Sequence, residues 1–587
     1  MIAIPIIISL LLYLIPPMLF RRDQYQFSRD YLVSTSGAPD GVFQNSSLAY
    51  ALQLATFGPF FAWGVLGDWI PGVLNACFFC LGLSLLYFGR HQIGNFLKGA
   101  LSADHSITIH EFLAQAHGNS PWIRLVASGL TLVALWGIVM SEMFGLATAL
   151  GPLMGIGSGG TYLLVISLFL LMFAYSATGG NDGVMRSDQI QLGFGYFGMY
   201  AAVVGMIFML MQSTPNGSTP GAGAIAFFGL FGATWLIIRR GRFIDSVSFP
   251  SSVGTRAWRI YLSIERVVNG VVVLTIGTMV GSAIYYFSVS GPMTALPSIL
   301  RSATAQTSMS GLALFSLALL PLGYQIVDIT NWQRFAAAGE PSNYGDGPGR
   351  RALLIYVFEA PLAWISLVAF GSLAAAVFRQ LKQAPNPFGE FALNLISLGT
   401  LGGAFIAAAF LLAVFAIGLS TMDAVFSATQ CAFQYDILPG LATKGTPEMS
   451  PRQKVRATRL FGLTTYLVVI GLFYLAEKYL TFGRDNYLAL LLAFYSAQIA
   501  FIPLVAGAFL ARRQGRNMTP VEPGFAIASL LGGTLVGIGS TLSALVFGPN
   551  DVLLWGAIPE CLLVSTIIYA IGWFRAQKQR DRSAARQ

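Results

Sequence analysis

Runs of roughly twenty apolar residues recur almost from one end of this chain to the other, and they restrict it more than any other feature. A helix of ~20 residues crosses the ~30 Å hydrocarbon core with its backbone hydrogen bonds made internally. Fifteen such segments can be marked: 1–20, 47–67, 71–89, 122–150, 161–178, 187–212, 223–239, 262–289, 309–335, 352–378, 399–432, 458–477, 486–511, 524–547 and 551–573. Only 10% of the 587 residues are charged, against about 25% in soluble domains, too few to cover a water-soluble globule. A transmembrane β-barrel would show alternating segments of ~10 residues, and none dominate. The expected fold class is an all-α polytopic membrane protein of about 15 transmembrane helices, in contact with the lipid bilayer.

The distribution of Lys and Arg tests that count. With the N-terminus outside and the segments alternating, 29 of the 34 basic residues fall on the inner side, and Arg301, Arg379, Lys382, Lys478 and Arg484 on the outer. A wrong number of segments would mix the charges, whereas this separation follows the positive-inside rule. It places the protein in an inner membrane with a cytoplasmic C-terminus, and it accounts for a net charge of +9 without nucleic acid as a partner. Segment 1–20 lacks a basic start and a cleavage site and reads as a retained helix, not a signal peptide. The polar stretches between segments are too short to build a soluble core. Cys77-x-x-Cys80 lies in an apolar segment with no second pair and no nearby His, and reads as filler. His91, His105, His110 and His117 fall in or beside one inner loop and read as solvated. No P-loop or hydrolase signature is present. The reading is therefore a non-enzyme without an organic cofactor, whose active transport would draw on an ion gradient. The sequence names no protein partner.

Polar groups and helix breaks at membrane depth are costly and mark function. The second segment contains Gly58-Pro59 and the ninth contains Pro321-Leu322-Gly323-Tyr324-Gln325. Proline removes an N–H and clashes with the carbonyl four residues earlier, so both are expected helix interruptions, with carbonyls near Ala55 and Phe57 set free. Interrupted helices in matching positions of two halves point to a transporter's midplane site. Ser420 and Thr421, adjacent in the eleventh segment, add hydroxyl oxygens of the kind a hard monovalent cation takes. Asp188 and Gln191 are three residues apart on one helix face, with Asp188 at a helix start, where a carboxylate suits the dipole.

Taken in order, several motifs resemble those of the sodium:solute symporter family. Thr108-x-His110-Glu111-Phe112-Leu113 followed by Gly118 is similar to its T-x-P-E-F/Y-L…G loop. Gly179-Gly180, Val184, Ser187-Asp188 and Gln191 are similar to GG…AV…TDxxQ; Gln333-Arg334-x-x-Ala337-Ala338 to QRxLAA; and Ser420-Thr421-x-Asp423 to STxD. The resemblance implies a leucine-transporter-type 5+5 inverted repeat with extra helices. Residues 1–20 would be a leading helix, 47–212 the first repeat and 223–289 an inserted helix pair. Residues 309–511 would be the second repeat, 524–573 trailing helices and 574–587 a tail. It implies sodium as coupling ion, held by the carbonyls of Ala55, Gly58 and Ile417 and the hydroxyls of Ser420 and Thr421. It also makes Asp188 a candidate for a second ion, although Asp423 and Ala424 stand where such a site has hydroxyls. Tyr324 matches an aromatic inner gate, and Pro321 stands where sugar-carrying members have an amide.

Sodium-coupled symport of a small organic solute by alternating access is the function this implies, an amino acid or small organic acid before a sugar. The solute is expected beside the two breaks, near Gln53, Phe57, Phe60, Trp63, Tyr324, Gln325 and Asp328, with Glu142 and Gln498 from neighbouring segments. The alternatives are a proton-coupled carrier and a membrane solute sensor acting through a partner protein.

Overall fold

A computed structural model describes residues 29–33, 40–102, 106–154, 158–213, 221–239, 255–290, 307, 309–338, 349–441, 449–479, 487–513, 520–547 and 551–584. Segment 1–20 lies outside the described residues. The main helices are α1 (Asp40–Ala51), α2 (Leu54–Leu66), α3 (Ile70–Ser102), α4 (Ile109–Ala116), α5 (Pro121–Met154) and α6 (Ser158–Ser213). They continue as α7 (Ala222–Arg239), α8 (Thr255–Ser290), α9 (Gly311–Val327), α10 (Ile329–Ala337), α11 (Gly349–Val377) and α12 (Pro387–Ser397). Last come α13 (Leu401–Ala432), α14 (Pro451–Tyr479), α15 (Tyr487–Ile499), α16 (Ile502–Arg513), α17 (Pro523–Phe547) and α18 (Asp551–Ala584). No strand occurs among the described residues. This is a polytopic all-α membrane protein.

Eleven described helices are individually long and apolar enough to cross a bilayer, and two bent pairs, α1–α2 at 62° and α9–α10 at 40°, bring the count to 13. One of these helices, α6, hides a further crossing. At 56 residues a straight α6 would run ~84 Å at 1.5 Å per residue, far beyond one bilayer. The Gln191 amide donates to the Tyr175 hydroxyl at 3.1 Å, although sixteen residues of straight helix separate two side chains by ~24 Å. The chain therefore doubles back, at Gly180, whose φ of 59° and ψ of −163° are non-helical. A Cβ there would lie 2.6 Å from the Tyr31 carbonyl oxygen. Counted as two spans, α6 matches the expected segments 161–178 and 187–212.

At the centre lies α13, in which every residue from Ala409 to Ala432 is buried. A membrane helix without a lipid face is enclosed by other helices on all sides, and α13 packs against both arms of α6, against α1 and against α5. The outer faces of α7 and α8 are instead apolar and exposed, with Leu230, Ile237, Leu274 and Ile284 all more than 60% accessible.

Two helix backbones touch where α2 crosses α11. A Cβ on Gly64 would fall 1.9 Å from the Val368 carbonyl oxygen, and one on Gly371 2.0 Å from that of Phe61. Close approach through small residues is the usual basis of helix packing in lipid, where no hydrophobic driving force exists between helices. Gly64→Ala must push the helices apart, and we expect a loss of roughly 1–3 kcal/mol, read as a lowered midpoint in thermal unfolding of the detergent-solubilised protein. An unchanged midpoint would contradict this crossing.

Candidate ion and solute site

The first broken helix owes its break to a carboxylate. Glu142 of α5, fully buried, accepts the backbone N–H of Leu54 at 3.0 Å and of Ala55 at 3.1 Å. Those amides would otherwise continue the ladder to Tyr50 and Ala51. The Gln53 N–H turns to Ala51 O and the Thr56 N–H to Gln53 O, both at 3.1 Å. The carbonyls of Ala49, Tyr50 and Leu52 thereby lose their α-helical amides, while that of Ala51 receives the Trp364 indole N–H at 2.8 Å.

The break thus sits at Leu52 and Gln53 and not at the expected Gly58-Pro59, which lie inside the continuous helix α2. Pro59 has no N–H to give the Ala55 carbonyl, yet α2 runs through it without a break. The Ser420 hydroxyl stands 3.1 Å from both the Ala49 and the Ile417 carbonyl oxygens, and Thr421 Oγ1 donates to Ile417 O at 3.3 Å. So the structure gathers Ile417, Ser420 and Thr421 as expected, but places Ala49 against them instead of Ala55 and Gly58. Phe57, between those two, packs on Phe410 with ring centroids 6.2 Å apart, ten residues or ~15 Å along α13 from Ser420.

The second bend differs in kind. Pro321 lies within α9, and the chain turns at Asp328, which ends α9 and caps α10 by accepting the Thr330 N–H at 3.0 Å and its hydroxyl at 2.8 Å. The released carbonyls of Gln325 and Ile326 are met by the Asn331 amide and the Trp332 indole, each at 2.9 Å. The freed carbonyls of this hinge are met by its own side chains, with Asp328 Oδ2 left as a buried acceptor without a hydrogen-bond partner among the described residues, whereas the first is completed by α5, α11 and α13. An oxygen cluster therefore forms at the first break.

Between the two lies a cavity of ≈ 40 Å³, room for about three waters at 10–15 Å³ each. It is lined by Tyr50, Ala51, Gln53, Thr56, Phe60, Trp63, Asn75, Phe79, Leu317, Leu320, Pro321, Tyr324, Gln325, Tyr356, Trp364, Leu491 and Tyr495. The Tyr50 and Tyr324 hydroxyls are 2.7 Å apart, Tyr324 and Tyr495 pack edge to face at 4.5 Å, and Tyr495 OH donates to Gln53 Oε1 at 3.0 Å. Of the expected solute residues, Gln53, Phe60, Trp63, Tyr324 and Gln325 line this cavity. The other four do not. Phe57 is in an aromatic cluster with Phe370, Phe388 and Phe410. Glu142 has each carboxylate oxygen on a backbone amide, Asp328 is a hinge cap, and Gln498 is buried on α15 away from the lining. Sequence reasoning missed Tyr50, Tyr356, Trp364 and Tyr495, which converge from three helices, α1, α11 and α15. Asn75 was detectable as an amide in an otherwise apolar stretch.

Beside Ser420 lies a second polar centre. Asp188 is no helix start: it sits eight residues past the Gly180 turn, fully buried, 3.4 Å from Arg334 Nη2 and hydrogen-bonded to Ser46 Oγ. Asp188 thus ties α1 to α10. Asp423 Oδ2 accepts Tyr175 OH at 2.9 Å, Ser187 Oγ at 3.2 Å and Gln191 Nε2 at 3.4 Å. Asp188 Oδ1, Asp423 Oδ1 and Gln191 Oε1 are buried acceptors with no hydrogen-bond partner among the described residues.

Two of the histidines are not solvated. His110 bridges Asp436 Oδ2 at 2.7 Å and Thr131 Oγ1 at 2.8 Å. His117 links the Leu113 carbonyl to Tyr569 OH, and burial pushes its imidazole down to about 4, which keeps it neutral at physiological pH. His91 is exposed, and His105 lies outside the described residues.

Among solved structures, the chain is similar to the substrate-bound, outward-open state of a Na+-coupled sialic acid symporter in which a novel Na+ site was described. The TM-score is 0.63 at 16% identity, over 97% of this chain and 98% of that one. Two structures of a manganese transporter from Eremococcus coleocola match at 14% identity, with TM-scores of 0.45 and 0.39, over 94% and 93% of this chain and 97% and 99% of theirs. The first similarity is one of fold. No family model matches the chain, and no curated protein does.

Proposed function

We propose that this chain is a secondary active transporter that moves a small organic solute by alternating access, coupled to sodium. The observation that carries this reading is the meeting of Ser420 with the freed Ala49 carbonyl across two helices. Its hydroxyl has lone pairs as well as a proton. With the carbonyls of Ala49 and Ile417 and the hydroxyl of Thr421 it forms an all-oxygen set suited to a hard cation. An ion held there would join α1 to α13 and fix the leading half of the broken helix. Ala51 and Gln53, the next residues along, line the cavity, so ion and solute would each favour the arrangement that binds the other. Such coupling is reciprocal. The solute class that fits an aromatic cavity bearing amides and phenols is a small amphipathic molecule, with amino acids and small organic acids ahead of sugars. The 5+5 inverted repeat, with α1–α2 and α9–α10 as matching broken helices, and an inner-membrane location with the C-terminus in the cytoplasm belong to the same reading.

A second reading is favoured by Asp188 Oδ1, Asp423 Oδ1 and Gln191 Oε1. Acceptors without donors suit a second cation or a proton, and proton coupling would use the carboxylates.

Uptake into proteoliposomes decides between them. A solute found by thermal-shift screening is expected to accumulate above its external concentration when sodium is imposed outside, and not when potassium replaces it. Accumulation that ignores sodium and collapses with a protonophore would favour the proton. Binding without accumulation would leave a sensor.

A further inference from the structure

We propose that the peripheral hairpin α7–α8 is a latch on the leading half-helix α1, with Arg239 and Glu359 as the positioning residues that engage it. The inference rests on the transport reading for its significance but not for its test.

A hairpin with an apolar outer face needs no charge in order to pack in lipid, so a charged side chain turned inward at its end, buried among neighbouring helices, points to a specific contact. The last residue of α7 is Arg239, 6% exposed. Its guanidinium makes three contacts. Nη2 meets Glu359 Oε1 at 2.8 Å and Oε2 at 2.9 Å, and Nη1 donates to Asn45 Oδ1 at 2.7 Å. Glu359 of α11, 5% exposed, also accepts Gln44 Nε2 at 2.8 Å, Trp235 Nε1 at 2.9 Å and Tyr196 OH at 3.1 Å. Arg239 of the hairpin and Glu359 of α11, the latter also bonded by Tyr196 of α6, thus hold two consecutive residues of α1.

Those residues lie about one turn before Ala49, whose carbonyl faces Ser420. For α1 to swing about the Leu52–Gln53 joint, Gln44 and Asn45 must leave Glu359 and Arg239. A buried pair adds little net stability but is costly to break on one side, which suits a two-position latch better than a simple fastening. The planar fork sets the spacing, with Nη2 on both carboxylate oxygens and Nη1 on the Asn45 amide, and an ammonium has no second nitrogen to span that distance. The hairpin's lipid-facing surface then becomes a place from which the bilayer can bias α1.

Hydrogen–deuterium exchange on the purified full-length protein tests this without solute or sodium. Arg239→Gln and Glu359→Gln are each expected to speed exchange across residues 40–53 by roughly tenfold or more, while α2, α17 and α18 stay within about twofold. The double variant should be no faster than either single one, because the pair acts as a unit, and Arg239→Lys should fall between. Should Arg239→Gln fail to fold, Trp235→Phe with Tyr196→Phe removes two donors to Glu359 without stranding a charge and should loosen the same segment. Unchanged exchange over 40–53, or an equal rise in every helix, would overturn the latch. Sodium-driven uptake by the same preparation reports separately on transport, so a failed latch leaves that reading intact.

Discussion

Replacing both Ser420 and Thr421 by alanine is expected to raise the sodium concentration for half-maximal uptake by roughly a hundredfold or more while leaving the amount of folded protein nearly unchanged. The magnitude follows from treating each hydroxyl as a partner of a charge, worth about 1.5–3 kcal/mol, with 1.4 kcal/mol per factor of ten. The separation from folding follows from geometry. Both hydroxyls already bond a carbonyl of their own helix, Ile417 O, and α13 is buried on all sides by apolar neighbours that alanine does not disturb. Serine at 421 or threonine at 420 keeps the oxygen and should stay near wild type. Sodium titration of uptake, with expression followed in parallel, is the measurement. A double variant with wild-type sodium dependence would remove this cluster from the coupling mechanism.

Glu142→Ala is expected to be the most damaging single change in the protein, at roughly 3–5 kcal/mol of stability. It strips the charge-assisted caps from Leu54 and Ala55 and leaves two amides facing hydrocarbon, where each unmet donor costs several kcal/mol. It also opens a void beside Leu54. Glu142→Gln should fall between, since a carboxamide oxygen can accept from one amide while its NH₂ confronts the other. The α2 dipole, which a carboxylate at its N-terminus offsets, loses that partner in both variants. Thermal unfolding and monodispersity after solubilisation provide the readout. If Glu142→Ala unfolds at the wild-type midpoint, then the carboxylate does not hold the break open.

These two expectations meet at one place in the fold, and the sequence was informative about only half of it. Ser420 and Thr421 stood out as hydroxyls in an apolar run, and the family resemblance added Ile417. The partner carbonyls were sought at Ala55 and Gly58, beside Pro59, because proline and glycine are the visible signals of a broken helix. The break came from Glu142, 88 residues away from Leu54, and a competing hydrogen bond between distant helices leaves no local trace in sequence. Pro321 misled in the same way: the turn is at Asp328, which reads as an N-cap once Thr330 is known to fold back onto it. Asp188 and Arg334 each stood in one of the chain's ordered motifs, but nothing in their spacing revealed that they pair.

That the chain crosses a membrane many times, and that two hydroxyls stand together in α13, were readable from residue order. Both follow from residue types within single segments: apolar surface enters lipid, and a polar pair inside an apolar run stands out. Which carbonyls face Ser420, which aromatic rings enclose Gln53 and which helix Arg239 grips were settled by packing. Those outcomes arise from contacts between residues hundreds of positions apart, where a donor chooses among acceptors that only the assembled bundle brings within reach.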